Sequence, residues 1–143
     1  MVVLDAVALI ALMKDEPAAE RVSELLRGPT LMSSVNYAEV MDHLQRVARL
    51  PADDILLALA PVLNSSVTVR DCDARLAEKA AAVRAEYYVP KRRAISLADS
   101  FAIATALDEQ QPLATSDPAV AEIMSHLSGD VVPLPDSRGR LPV

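Results

Sequence analysis

Four carboxylates stand where the chain is predicted to pass from one element to the next. Asp5 follows Val2-Val3-Leu4, Glu39 lies in the first turns of a striped segment, Asp99 sits inside the apolar run Ala94 to Leu107, and Asp117 follows Pro112-Leu113-Ala114-Thr115. Gathered on one edge, these side chains make an oxygen-only donor set, which suits a hard cation such as Mg²⁺ or Mn²⁺ bound through carboxylates and water. Without a cation they would repel one another and hold some protons up to higher pH. With one, they stay ionised, and the ion can hold a phosphodiester, lower the pKa of a water and stabilise an in-line displacement, with room for a second ion at the leaving oxygen. Thr115 or Ser116 could hydrogen-bond a carboxylate or the attacking water.

Each acid also has a plainer use. Asp5 and Asp117 fit as helix N-caps, and Glu39 fits a solvated face or a box closed with Asn36. Asp99 is the sharpest case. In a helix starting after Ser96, at about 100° per residue, it shares a face with Ala102, Ile103 and Ala106. No base lies on that face, and an unpaired carboxylate against apolar neighbours costs several kcal/mol, roughly. Ser96-Leu97-Ala98-Asp99 fits a capping box, so Asp99 could receive a helix-terminal N–H and still present an oxygen to a cation.

The elements that must position these acids alternate. Short apolar runs at Val2 to Leu4, Thr30 to Ser33, Ser66 to Val69 and Pro112 to Thr115 read as strands covered on both faces, with Val131-Val132 as an edge strand. Between them the spacing predicts helices over 6–13 and 15–27, with Pro17 in the second one's first turn, and over 34–50, 51–63, about 73–88, 97–107 and 118–127. Alternation of this kind implies an α/β protein, a three-layer α/β/α sandwich around a short, mostly parallel central sheet. In such sheets the site lies beyond the carboxyl ends of the strands, at the switch point. One domain is expected over residues 1–132, and the proline-rich residues 133–143 read as a flexible tail.

The chain has 143 residues, enough to bury about two-thirds of its unfolded surface in one core. Aromatics make up 3% of it and apolar residues 52%, so that core is built from Leu, Val and Ala. A net charge of −6 argues against sequence-independent adhesion to nucleic acid, although it leaves room for a local basic groove. The single cysteine, Cys72, makes neither an internal disulfide nor a thiolate metal site. The apolar start lacks a basic leader and is broken by Asp5, so a cytoplasmic protein with no membrane association is expected.

Arg84, Lys91, Arg92 and Arg93 form the densest basic segment, close in sequence to Asp99, and could guide phosphates toward a metal; the plainer reading is a solvated loop. Tyr87 and Tyr88 could stack on bases, with at least one expected in the core. His43 and His126 lack zinc-site spacing, and no glycine-rich phosphate loop is present.

The order Val-Leu-Asp5, Val-Asn-Tyr-Ala-Glu39, Ser-Leu-Ala-Asp99 with Ala-Ile-Ala-Thr-Ala, and Ala-Thr-Ser-Asp117 resembles the PIN domain, specifically the VapC toxins of bacterial toxin–antitoxin pairs. Residues 15–22 resemble that family's second-helix segment, and the likeness spans roughly residues 2–127. The resemblance implies that Asp5, Glu39, Asp99 and Asp117 are metal ligands and, with Thr115, the catalytic set of a Mg²⁺- or Mn²⁺-dependent endoribonuclease. It further implies a structured RNA substrate such as tRNA or rRNA, with mRNA left open, a VapB-like antitoxin as partner, and a homodimer that forms a heterotetramer or larger assembly with it. Many relatives carry Ser or Asn where this chain has Val7, and Arg where it has Ser100. Two other classes are compatible with parts of the pattern. A catalytically weak PIN-like binding module would have lost a metal acid, and a phosphorylated receiver domain would want paired acids after the first strand, where Asp5 stands alone.

Overall fold

The computed structural model describes residues 1–142. Five strands, β1 (Val2–Leu4), β2 (Thr30–Ser33), β3 (Val67–Arg70), β4 (Leu113–Thr115) and β5 (Val131–Pro133), form one sheet in the order β3-β2-β1-β4-β5. Every pairing in it is parallel, with Val3 opposite both Leu31 and Leu113. Among the described residues seven α-helices connect the strands: α1 (Ala6–Lys14), α2 (Ala19–Leu25), α3 (Ser34–Asp42), α4 (Ala52–Ser65), α5 (Ala74–Tyr87), α6 (Leu97–Glu109) and α7 (Pro118–His126).

The strand pleat explains the layers. Successive side chains point to opposite faces, so Leu4, Met32 and Ala114 join one core with residues of α1, α2, α3 and α4. Their neighbours Val3, Leu31 and Leu113 join another with α6 and α7. The strands are apolar without alternation because both faces are covered. Helix α5 packs outside α6, through Leu76 and Ala80 against Phe101 and Ala104. The result is the expected three-layer α/β/α sandwich, with a sheet that is wholly parallel.

The chain runs outward through β1, β2 and β3, then returns to place β4 on the other side of β1. The switch point therefore lies between β1 and β4, the strands that lead into Asp5 and Asp117.

Three local expectations change. Pro17 lies in the turn before α2, because Asp15 ends α1 in the left-handed conformation at φ 53° and the next helix starts only at Ala19. The single helix read over 34–50 becomes α3 followed by a π-helical turn, His43–Val47, in which the Ala48 N–H reaches back to the His43 carbonyl at 3.1 Å. Arg49, at φ 61°, closes it. The boundary at 133 does not mark the end of the packed unit either. Leu134 is fully buried in the α1–α4 core, and its N–H donates to the Thr115 carbonyl at 2.9 Å. Asp136 then folds the chain back, accepting the N–H groups of Arg138 and Arg140 at 2.8 and 2.9 Å. Val143, the last residue of the predicted tail, lies outside the described residues.

Candidate active site

Asp5 is placed by the sheet itself. Its N–H donates to the Ala114 carbonyl at 3.1 Å, which extends the β1–β4 ladder by one residue and leaves the side chain 2% exposed at the switch point. It occupies the N-cap position of α1 but makes no side-chain cap. Instead Oδ2 accepts the Thr115 hydroxyl at 2.8 Å, and Thr115 Oγ1 in turn accepts the Asp117 N–H at 3.1 Å. Thr115 is buried, so this relay from β4 to β1 is closed to water. Burial first, and then the charge of Asp99, push the Asp5 carboxyl up to about 7 against the pull of the Thr115 hydroxyl.

Glu39 is placed by α3. Ser33 caps that helix by accepting the Asn36 N–H at 3.0 Å. Asn36 is fully buried, and its side-chain amide donates to the Ala98 carbonyl at 3.0 Å, which ties α3 to the first turn of α6. Glu39 thereby faces Asp99. Burial, then the Asp99 charge, raise its pKa, and Glu39 Oε2 is buried without a hydrogen-bond partner.

Asp99 closes a capping box. Ser96 Oγ accepts the Asp99 N–H at 3.0 Å, and Asp99 Oδ2 accepts the Ser96 N–H at 2.6 Å. Burial and the Asp117 charge still raise its pKa above the ordinary range, with Arg84 acting in the other direction. Asp117 caps α7, accepting the N–H groups of Ala119 and Val120 through Oδ1 at 2.7 and 3.3 Å. Its other oxygen, Oδ2, stays outside the cap.

Four segments remote in sequence thus bring their carboxylates within range of one another's charge. They do not form a finished ligand cage, since among the described residues no three His, Cys, Asp or Glu side chains stand close enough to clasp an ion directly. Three of the acids are engaged elsewhere, with Thr115, Ser96 and the α7 amides. The donors nonetheless fit a hard divalent cation. All are oxygens, one buried Glu39 oxygen is unpaired, and such an ion keeps several waters and needs few direct carboxylates.

A cleft of about 460 Å³ opens beside Glu39, lined by Val7, Lys14, His43, Ser116 and Asp136 among others. Lys14 pairs with Glu16 across 3.0 Å, and His43 Nε2, like Glu39 Oε2, is buried without a partner. The place of Asn36 and the cleft residues Lys14, His43 and Asp136 escape a reading by motif. A polar residue inside the quoted Val-Asn-Tyr-Ala-Glu39 stretch was the available signal for Asn36.

The basic segment is only partly brought to the acids. Arg84 donates through Nε to the Ile95 carbonyl at 3.1 Å, and its charge reaches Asp99. Arg92 and Arg93 turn instead to Glu122 on α7, at 3.6 and 3.8 Å, and Lys91 is exposed in a left-handed turn at φ 63°. Tyr87 packs against α7, edge-on to His126, while Tyr88 is exposed. Ser100 is fully buried and donates to the Ser96 carbonyl at 3.1 Å. It supports the cap of α6 and has no access to substrate.

The PIN-domain family model matches residues 2–124. The chain belongs to the PIN-domain family. Its match spans all four acids and the switch point that gathers Asp5 and Asp117. Among solved structures this PIN domain is similar to a toxin–antitoxin complex from Klebsiella pneumoniae, at 21% identity and a TM-score of 0.66 over 92% of this chain and 96% of that one. It is similar to VapBC2 from Rickettsia felis bound to a DNA fragment from its promoter, at 17% identity and a TM-score of 0.67 over 92% and 98%. A third is VapC20 from Mycobacterium tuberculosis, a toxin that cleaves the sarcin–ricin loop, at 19% identity and a TM-score of 0.63 over 79% and 87%. At these identities the likeness is one of fold. No curated protein matches the sequence. Among the described residues of this PIN domain, no helix is long and apolar enough to cross a membrane.

Proposed function

We propose that this PIN domain is a divalent-metal-dependent endoribonuclease, the toxin of a VapBC-type toxin–antitoxin pair. The observation that carries the reading is the set of four carboxylates, from the ends of β1 and β4, from α3 and from the start of α6, in which burial and neighbouring acids raise the proton affinity of Asp5, Glu39 and Asp99 and one buried Glu39 oxygen has no partner. Buried like charges of this kind are costly unless something neutralises them. Family membership and the likeness of fold to toxin structures from antitoxin complexes support the biological setting.

Asp5, Glu39, Asp99 and Asp117 would hold Mg²⁺ or Mn²⁺, which supplies charge for the phosphate and an acidified water. The chain's own residues set the stage for that chemistry. Thr115 holds Asp5 in one rotamer and aligns Asp117 through its N–H. Asn36 fixes the separation of Glu39 from Asp99. The capping box fixes the Asp99 carboxylate at the start of α6, and Arg84 favours its ionised form. Glu39 lines the cleft, where its carboxylate would take a proton from water attacking phosphorus. Arg84, Lys91, Arg92 and Arg93 would meet the RNA backbone, with Arg84 nearest the acids. A VapB-like antitoxin, a homodimer that becomes a heterotetramer or larger with it, and a cytoplasmic location complete the proposal.

Purified protein incubated with total RNA tests it. Cutting is expected with Mg²⁺ or Mn²⁺, and none with EDTA or in Asp99→Asn. Cutting that survives EDTA would overturn the metal dependence, and no cutting of any RNA with metal bound would overturn the nuclease reading.

A further inference from the structure

Beside the helix end that carries Asp99 runs a second concavity, of about 370 Å³, lined by Ala81, Arg84, Ala85 and Tyr88 of the α5 side and by Leu97 of α6. Its surfaces are unusual for an acidic chain with 3% aromatic residues. Tyr88 is 42% exposed and Leu97 52% exposed, and two alanines of α5 complete the apolar part of the lining. The Arg84 guanidinium carbon lies 4.8 Å from the centre of the Tyr88 ring. Arg84 is itself anchored by its 3.1 Å bond to the Ile95 carbonyl, so the ring has one face held by a fixed cation. Leu97 is the first residue of α6, two residues before Asp99.

We propose that this groove seats one unpaired nucleobase of the RNA, stacked on Tyr88 and packed against Leu97, with the terminal guanidinium N–H groups of Arg84, which the Nε bond to Ile95 leaves available, meeting the adjoining phosphate. The proposal rests on the ribonuclease reading above and adds a specificity subsite to it. Three features select a base over a generic apolar occupant. A flat aromatic ring carrying a cation on one face is a stacking platform for another π system. The lining alanines carry no bulk beyond Cβ, which leaves room for a planar ligand beside the ring. The arginine faces both the groove and the acids, so a chain bound along it must carry negative charge at the point where it leaves the groove for Asp99. Bases splayed from single-stranded RNA are read by stacking in this way.

A single-stranded RNA oligonucleotide carrying 2-aminopurine, whose fluorescence falls on stacking, tests the groove in EDTA, where the strand stays whole. Wild-type protein is expected to quench the reporter and to bind this strand at least about fivefold more tightly than one with an abasic site in its place. Tyr88→Ala should abolish both the quenching and the preference, while Tyr88→Trp should keep them. Because Tyr88 is exposed, the thermal midpoint of Tyr88→Ala is expected to stay within a few degrees of wild type. In cleavage assays with Mg²⁺, the loss in Tyr88→Ala should fall mainly on KM. Equal binding of both strands by wild type, or unchanged quenching in Tyr88→Ala, overturns the subsite. If wild type cuts RNA and Tyr88→Ala leaves KM unchanged, the subsite falls and the nuclease stands. Quenching by a wild type that cuts no RNA would remove the nuclease reading and leave the groove.

Discussion

The Asp5 carboxyl is lifted from 3.8 to about 7, and that shift has a sign that can be worked through. Between those values the folded chain keeps a proton that the unfolded chain has released. Its contribution to stability is therefore fully present below pH 3.8 and falls away as pH rises through about 7. Glu39 and Asp99, also raised, act in the same direction. Metal-free protein should accordingly have a lower denaturant midpoint at pH 8 than at pH 5, and Asp5→Asn should flatten that slope. The window is clear of Asp108, which Lys79 and Arg70 hold down at about 2 and whose contribution is lost only in strong acid. Thr115→Val tests the neighbouring hydroxyl. It strips Asp5 of its donor and the Asp117 N–H of its acceptor, so a loss of about 1–3 kcal/mol is expected by denaturation. At this scale the sequence was legible in residue type and order but not in role. Asp5 occupies an N-cap position, and only the structure shows its oxygens turned to Thr115. Asp99 does cap, as its Ser96 spacing indicates, and burial still raises its pKa.

At the scale of elements, the site depends on how α3 and α6 are joined. Asn36 spans them, so Asn36→Ala leaves the Ala98 carbonyl and the Ser33 hydroxyl short of a partner, at a cost of about 1–3 kcal/mol. It should also weaken Mn²⁺ binding, because Glu39 and Asp99 lose their fixed spacing, whereas Ser96→Ala should cost about 1 kcal/mol as a lost cap. Calorimetry on both variants separates the two effects. Strands and most helices were readable because unalternated apolar runs and Asp-Pro or Ser-x-x-Asp starts report local physics. The π-helical turn after α3 was not readable. His43 to Val47 carries no glycine or proline to mark it, and Leu44 within it packs into the core as an ordinary helical residue would.

For the whole molecule, a parallel sheet covered on both faces fixes the switch point, and the switch point sets Asp5 and Asp117 on adjacent strand ends linked through Thr115. The segment after β5 belongs to this unit. Proline-rich composition looks the same whether a terminal strap is packed or loose, which is why Leu134 was hidden from a sequence reading. Leu134→Ala should cost about 2–5 kcal/mol, whereas Arg138→Ala, on the exposed turn, should stay within about 0.5 kcal/mol by the same denaturation assay. The central claim is that this architecture exists to hold a divalent cation among four mutually repelling carboxylates. Titration of metal-free protein with Mn²⁺ at pH 7, followed by calorimetry in buffers of different ionisation enthalpy, tests it most directly. The account predicts saturable binding with release of protons from the raised acids, and loss of that binding in Asp5→Asn and Asp99→Asn. Absence of Mn²⁺ binding, or binding that both variants retain unchanged, would contradict it.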